Sequence, residues 1–452
     1  MRIPMMKGMR AILLALASLP ALAVAEPLSL DKAVEMALGA DPRVREREAV
    51  VDQARALLDE VKGHGGLSLQ SNLFLTGAEA VKGGFFKEGS TELRDDAGEF
   101  NEGLSPFAGL QLALIKPLYT FGKIEHYGAA AAGNIDVKQG DVKVARAQTQ
   151  MDVRRAWYGH LTARESRAFL EDLNKRIDDS LEAFDRRSSN GNPPRQADRF
   201  ALEAVKGLVG RYLAQARAIE KVSLDGLKTL IGLPLSATLE VADARIEPVD
   251  LPEGSLDEMV RKALVQRAEM EQVEAGMSAL REMVEARRAE MRPDLYAAVV
   301  GDVAWAPRRD TLDNPYLSDP FNHAYAAPVV GMRWNWQPGV QEARTRQAEA
   351  ELRAVTEKAN FARMGIPFQV AEAYHQARGM QEGLEQLESG FRSARRWMVA
   401  NFIDMEAGSA GMDEVVEAFK TYATMYGDYL LGVNDYNMQV AALRQALGEW
   451  HQ

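Results

Sequence analysis

The sequence contains no cysteine, no surplus of basic residues and, after its first 25 residues, no apolar run long enough to cross a bilayer as a helix. The absence of cysteine excludes disulfide frameworks, thiolate metal sites, cysteine nucleophiles and an acylated N-terminal cysteine. The 54 Lys and Arg residues are outnumbered by 65 Asp and Glu residues, and the net charge of −11 argues against a nucleic-acid-binding protein. Because no later segment reaches about 18 uncharged apolar residues, any membrane insertion has to use β-strands.

Signals for catalysis are also scarce. None of the six histidines has a second histidine at a helical spacing suited to a metal ion. The turn Gly63–Gly66 is typical of a helix stop before a strand and not of a phosphate-binding loop, and no nucleophile and base constellation is found. We therefore expect no enzymatic activity, no cofactor and no metal site.

The first 25 residues have the pattern of a secretory signal peptide. Arg2, Lys7 and Arg10 precede the apolar run Ala11–Val24, and Ala23-Val24-Ala25 gives a small-residue cleavage site. Removal of residues 1–25 takes away three positive charges and lowers the net charge from −11 to −14. The pattern predicts export, and in a bacterium with two membranes it predicts delivery to the periplasm or outer membrane.

The remaining chain repeats itself once. The segment Ser29–Leu38 reappears as Ser255–Leu264, 226 residues later, and each half closes on a similar Leu…Gly ending at Gly232 and Gly448. Between these landmarks, Gly122 and Gly191 of the first half match Gly339 and Gly408 of the second. The two glycines of each half are 69 residues apart, and the offset between the halves is here 217 residues. We interpret residues 26–232 and 255–452 as two structural repeats joined by the connector 233–254, with the length difference between residues 67 and 107.

Hydrophobic periodicity changes in the same order within each half. In the first half a helical pattern over Leu30–Val61, with Asp31 as a plausible N-cap, gives way to alternation over Leu67–Thr76. A turn-rich stretch and a second alternating segment at Leu110–Leu114 follow, which predicts a hairpin with a long loop. The second half predicts an equivalent hairpin, with its fourth strand reaching Trp336.

Long helices follow both hairpins. Residues Lys123–Ser188 and Val340–Glu406 are free of interior proline except Pro367, and each would span roughly 98 Å as one helix. The returning segments carry apolar residues seven apart, which is typical of coiled-coil packing against a neighbouring helix.

Four strands are too few to close a barrel, because about eight are needed, and an open edge in lipid leaves backbone groups unpaired. Strands that are apolar on one side and polar on the other fit a sheet between lipid and water, closed by copies of the chain into eight or twelve strands. The helices would then project as a tube. The predicted strand ends carry Tyr119, Phe121, Trp334 and Trp336, which we expect to form an interfacial aromatic girdle at one rim.

The repeated Ser-Leu-Asp opening, the strand end Leu118–Gly122 and the ending Asp435–Gly448 together resemble the TolC family of outer membrane efflux proteins, also called outer membrane factors. The resemblance covers nearly all of the mature chain. It implies a mixed fold that is mostly α, with four strands per protomer, a twelve-stranded outer-membrane β-barrel per homotrimer, and a long periplasmic α-helical barrel. It also implies an exit duct for tripartite efflux or type I secretion, with a periplasmic adaptor and an inner-membrane pump or transporter as partners.

The resemblance further implies functional positions at the two helical turns. The acidic residues of the family's tunnel constriction fall on Glu414 and Glu417, with Asp198 as a candidate on the other turn. Three copies would place the carboxylates of Glu414 and Glu417 around one axis and favour cations. The adaptor-docking tips would contain Gly191, Pro193, Pro194, Arg195, Gly408 and Gly411. The Arg and Tyr that hold the entrance closed in some relatives have no match here, where Met405 and Ala410 stand.

The competing interpretation is a periplasmic coiled-coil scaffold without a pore, which the seven-residue repeats alone would support. The sequence does not identify the cargo, since drug, metal and protein export all fit such a duct.

Overall fold

The computed structural model describes residues 27–81, 91–92, 103–189, 195–312, 315–407 and 409–450. The signal peptide predicted for residues 1–25 lies outside this part of the chain. In chain order the elements are α1 (Leu30–Ala40), α2 (Pro42–Gly63), β1 (Ser68–Glu79), β2 (Leu104–Tyr119), α3 (Lys123–Ser189), α4 (Gln196–Leu230), α5 (Leu256–Gln266), α6 (Ala268–Ala289), β3 (Asp294–Trp305), β4 (His323–Arg333), α7 (Pro338–Glu406) and α8 (Met412–Ala446).

The elements form two copies of one layout. Helices α1 and α5 have 11 residues each, α2 and α6 have 22, and α4 and α8 have 35. Strands β1 and β3 both have 12 residues, and the long helices α3 and α7 have 67 and 69. The 226-residue offset holds to the ends of β1 and β3, so the length difference between the halves begins after Glu79.

The first helical segment differs from the sequence prediction in two respects. The continuous helix expected over residues 30–61 is broken at Asp41, because the residue before a proline is forced out of the helical region and Pro42 starts α2. The N-cap of α1 is Ser29 and not Asp31, since the Ser29 hydroxyl accepts a hydrogen bond from the Lys32 N–H.

Asp41, at this break, is the centre of a buried polar cluster. Its carboxylate accepts hydrogen bonds from the Thr149 hydroxyl at 2.6 Å and from the Arg43 guanidinium at 2.8 Å. Arg43 also forms an ion pair with Asp152 on α3. Burial acts to raise the pKa of Asp41, but the hydrogen bonds from Arg43 and Thr149 outweigh it and lower the pKa from 3.8 to about 2. The cluster fixes the α1–α2 corner on α3.

The four strands form one antiparallel sheet in the order β1-β2-β3-β4. The two hairpins are joined through β2 and β3, which pair from Ala108 with Trp305 to Tyr119 with Leu295. Strands β1 and β4 are the edges, and within the described residues neither has a partner on its outer side. The helices all leave the same end of the sheet, because β1 and β3 begin, and β2 and β4 end, beside them.

The two faces of the sheet differ in chemistry. The register places Leu73, Leu110 and Val303 in one row of the first face, and Asn72, Gln111 and Asp302 in the adjacent row of the second face. Large apolar side chains on the first face are 38–79% exposed on the single chain; they are Leu69, Leu73, Leu75, Leu112, Leu114, Val299, Val303, Trp305, Val330 and Met332. The alternation expected from the sequence is therefore present, with an uncovered apolar face.

The helices pack as α3 with α4 and α7 with α8, and two apolar cores hold them together. One core lies around Trp157, Leu227 and Tyr436, and the other around Val370 and Leu443. Fully buried Asn437 on α8 ties in the connector, because its amide accepts from the Val249 N–H and donates to the Glu247 carbonyl, both at 2.9 Å. None of the helices in the described part of the chain combines the length and apolarity that a bilayer crossing requires.

Close to the sheet, α3 and α6 meet along a polar seam. His126 of α3 lies 2.7 Å from Glu282 of α6, and at the end of the seam Lys123 forms an ion pair at 2.7 Å with Asp294, the first residue of β3. Farther along, the helices approach so closely at Gly133 that an added Cβ there would lie 2.9 Å from the Cβ of Ala279. This seam joins the first repeat to the second.

We predict that Asp41→Asn destabilises the protein by about 2 kcal/mol at neutral pH, from the pKa difference between unfolded and folded states. Because the folded pKa is the lower one, this stability is present above pH 4 and is lost as the pH falls toward 2. Denaturant unfolding of both proteins across pH 2–7 should show the difference shrinking over that window. Asp52→Asn, at an exposed ion pair with Arg55, is the control, and an equal loss in both variants would contradict the prediction.

Candidate functional site at the helical hairpin tips

The turns that end the two helical hairpins lie at the far end of the molecule from the sheet. Helix α3 ends at Ser189 and α4 begins at Gln196, while α7 ends at Glu406 and α8 begins at Met412. Of the predicted docking residues, Arg195 and Gly411 are the N-cap residues of α4 and α8. Gly191, Pro193, Pro194 and Gly408 lie outside the described residues.

Asp198 is held by an ion pair at the first tip. The Arg195 guanidinium donates to both carboxylate oxygens of Asp198, at 3.0 and 3.2 Å. This hydrogen bonding raises the pKa of Arg195, and the charge of Asp413 on the other hairpin adds to the effect. One turn on, Arg199 joins Asp185 of α3 to Glu203 of α4. Asp198 therefore contributes a paired carboxylate to the tip.

Unlike Asp198, Glu414 and Glu417 are not held by an ion pair among the described residues. Both are exposed, three residues apart in the first two turns of α8, and neither has a hydrogen bond or ion pair within the part of the chain that the structure describes. Their spacing puts them on one helical face. The structure therefore places the carboxylates of Glu414 and Glu417 on one face of α8, whereas the carboxylate of Asp198 is paired with Arg195. The acidic ring remains a prediction.

A cavity of about 480 Å³ lies between the hairpins just behind the tips. All four long helices line it, and its walls are mostly apolar: Phe184, Val205, Phe402, Phe419, and three methionines, Met398, Met405 and Met412. Sequence analysis missed this cavity because its walls come from four separate segments. The spacing of seven between the methionines is the one signal in the sequence that could have indicated it.

The seam between the two hairpins is apolar from this cavity up to Tyr426. The Tyr426 hydroxyl donates to Glu165 of α3 at 2.9 Å, and Glu165 also accepts from the N–H of Ile246 in the connector. Burial and then the Glu165 charge raise the pKa of Tyr426. Between this bond and the tips, no hydrogen bond or ion pair joins the hairpins among the described residues. Apolar packing alone, around Leu173, Val209 and Phe419, connects them there.

The predicted girdle residues lie near the helical end of the sheet. Tyr119 ends β2 and packs on Phe121 with ring centroids 4.6 Å apart. Trp334 and Trp336 were expected in the fourth strand but lie beyond its end at Arg333, which pairs with the first residue of β3, Asp294. The Trp334 indole N–H donates to the Met291 carbonyl at 3.1 Å. Leu295 pairs with both Tyr119 and Met332, so the ends of β2 and β4 lie side by side at the helical end of the sheet.

The described residues contain no group of three or more His, Cys, Asp or Glu side chains arranged to hold a metal ion.

No protein-family model matches the sequence, and no curated protein matches it significantly. The fold is similar to solved structures. The CmeC outer membrane channel of Campylobacter jejuni has a TM-score of 0.74 and 12% identity, covering 93% of this chain and 85% of that one. The outer membrane protein VceC of Vibrio cholerae has a TM-score of 0.71 and 15% identity, and the similarity covers 93% of this chain and 96% of that one. The open state of the Neisseria gonorrhoeae MtrE outer membrane channel has a TM-score of 0.72 and 16% identity, and the similarity covers 93% of this chain and 88% of that one.

These likenesses extend over nearly the whole chain, in this protein and in the others. The chain therefore has the fold of these outer-membrane channels, which confirms the mixed, mostly α fold with four strands per chain that the resemblance to the TolC family implies. Closure of copies into a twelve-stranded barrel stays a prediction.

We predict that Tyr426→Phe lowers the free energy of unfolding by about 1 kcal/mol, because it leaves a carboxylate oxygen of Glu165 without its donor. Tyr429→Phe is the matched control, since Tyr429 packs on Phe391 and no hydrogen bond of its hydroxyl is present in the structure. Denaturant unfolding measures both variants. Equal effects of the two changes would show that the Tyr426 hydroxyl does not join the hairpins.

Proposed function

We propose that the protein is the outer-membrane exit duct of a tripartite efflux or type I secretion system, through which cargo passes passively to the exterior. The observation that carries the proposal is the uncovered first face of the sheet. Apolar side chains exposed over such a wide, continuous area are unusual on soluble proteins and indicate a contact with lipid or protein. The polar second face behind it suits a water-filled interior.

The edges of the sheet support a trimer. A four-stranded sheet with free edges cannot remain in hydrocarbon, whereas three copies pairing β1 with β4 give twelve strands and no edge. Helices α3 and α7, with 67 and 69 residues, reach about 100 Å. In this arrangement they form the wall of a tube that crosses the periplasm.

The tips are then the contact with a periplasmic adaptor, which links the duct to an inner-membrane pump or transporter. The apolar cavity behind the tips offers a surface for that partner, since flexible methionine side chains adapt to different shapes. Export through the predicted signal peptide 1–25 delivers the chain, and lipid anchoring at its N-terminus is not expected because no cysteine is present.

The pore-free periplasmic scaffold is not favoured. It accounts for the long helices but gives no role to the sheet, whose apolar face would remain in water. The similar channels are described as outer-membrane channels, and this favours the duct as well.

The proposal predicts that the protein fractionates with the outer membrane and conducts ions as single channels in planar bilayers. Leu73→Arg and Asn72→Arg are matched variants, because these neighbours in β1 lie on opposite faces. We expect a charge on the first face near the bilayer centre to cost about 2–4 kcal/mol and to reduce assembly in the membrane, with little effect on the second face.

A wild-type protein that stays soluble and does not conduct would contradict the duct. Equal assembly of the Leu73→Arg and Asn72→Arg variants would contradict the assignment of the first face to lipid.

We further predict that replacing Glu414 and Glu417 together by Gln reduces the preference for cations, because carboxylates around a narrow axis concentrate cations. Reversal potentials in a salt gradient measure this selectivity. Glu203→Gln is the control, since Glu203 is exposed on α4 and paired with Arg199. Unchanged reversal potentials in the double variant would rule out the ring.

A further inference from the structure

The described residues between β3 and β4, 306–312 and 315–322, are here called the outer loop, which lies at the end of the sheet away from the helices. It does not continue outward from the strands. The Arg308 N–H donates to the Ser105 hydroxyl at 3.1 Å, and the Phe321 ring lies 5.2 Å from that of Phe107. The register puts Ser105 and Phe107 on the second face. The outer loop is therefore folded over the second face of its own sheet.

Aromatic contacts anchor the loop on that face. Phe107 also packs edge-to-face on Phe74, with 5.3 Å between ring centroids, and the Arg309 guanidinium lies 3.8 Å from the Phe321 ring. Arg309 donates to the Glu79 carbonyl at 2.9 Å, which ties the loop across to the end of β1. The loop thus spans the width of the sheet at this end.

Hydrogen bonds within the loop keep it compact. The carboxylate of Asp319 accepts from the N–H groups of Leu312, Phe321 and Asn322, at 2.9, 2.8 and 3.1 Å. The Asn322 side chain accepts from the Ala306 N–H at 2.8 Å. These bonds tie both ends of the outer loop together, so that its fold is set within one chain.

The outer end of the second face is bulky. Aromatic side chains, among them Phe74, Phe107 and Tyr325, occupy it, whereas the row in the middle of the face contains Ala113, Val300 and Ala327. The outer loop adds to the bulk at the outer end, and its side chains Leu312, Tyr316 and Leu317 are 44%, 93% and 59% exposed.

We propose that the outer loops narrow the outer mouth of the duct and form a second constriction for cargo, at the end opposite the hairpin tips. This inference rests on the proposed function, because the second face lines the passage only if the sheets close around it. Three copies would bring three such loops over one opening, where apolar constrictions restrict passage.

The absence of cysteine makes a direct accessibility test possible. Ala113→Cys places one thiol on the second face, six residues and roughly 20 Å from Phe107 toward the helices. Leu317→Cys places one at the exposed loop as a reference. Whole cells carrying either variant are treated from outside with a small maleimide or with a maleimide on a bulky polyethylene glycol.

We expect the small reagent to label both positions and the bulky reagent to label Ala113→Cys about tenfold more slowly than Leu317→Cys, after normalisation to the small reagent. Replacing residues 310–318 by Gly-Ser should remove the difference. Phe107→Ala combined with Phe321→Ala, which releases the loop from the wall without shortening it, should reduce the difference.

Equal normalised rates at both positions with the native loop would overturn the constriction while leaving the duct intact. If the small reagent fails to reach Ala113→Cys even after the loop is shortened, the second face does not line a water-filled passage. In that case the duct itself is wrong. The labelling does not depend on the hairpin tips, because both reagents enter from the outside.

Discussion

The need of backbone groups for hydrogen-bond partners governs this molecule more than any single side-chain contact. Strands β2 and β3 form backbone hydrogen bonds with each other and with β1 and β4, whereas among the described residues β1 and β4 each keep one row of N–H and C=O groups unpaired. In hydrocarbon such a row costs several kcal/mol per group, and in water the uncovered first face would be unfavourable instead. Closure with other copies in hydrocarbon would remove both costs. Because all helices leave one end of the sheet, the same closure would also arrange them in a ring.

Different kinds of interaction hold the helices together at the two ends of the helical region. Near the sheet, α3 and α6 approach closely at Gly133 and are linked by directional contacts such as that of His126 with Glu282. Toward the tips, below the bond of Tyr426 with Glu165, only apolar packing joins the hairpins among the described residues. Apolar contacts do not depend on direction, so they tolerate small sliding movements that an ion pair would resist. The helical region beside the sheet therefore has a fixed geometry, and the far end can adjust its geometry.

Periodicity and repetition in the sequence were sufficient for the order of elements, the long helices and the alternating faces. Helix α3 ends one residue from its predicted end, and α7 ends at the predicted Glu406. The errors arose where local constraints overrode the period. The proline at 42 divides the first helix, and β4 ends at Arg333 because its partner strand β3 begins only at Asp294. The four-helix cavity and the inward fold of the outer loop depend on how separate segments meet. No pattern within a single segment contains that information.

The equal lengths of the duplicated helices have a consequence for whatever meets the far end. Helices α4 and α8 have 35 residues each, and α3 and α7 differ by two, a rise of about 3 Å. Both hairpins of one chain therefore reach almost the same depth, and a threefold assembly would end in a level rim of six similar legs. A partner with six subunits could then engage every leg in nearly the same way, although the proposed duct would have only three copies.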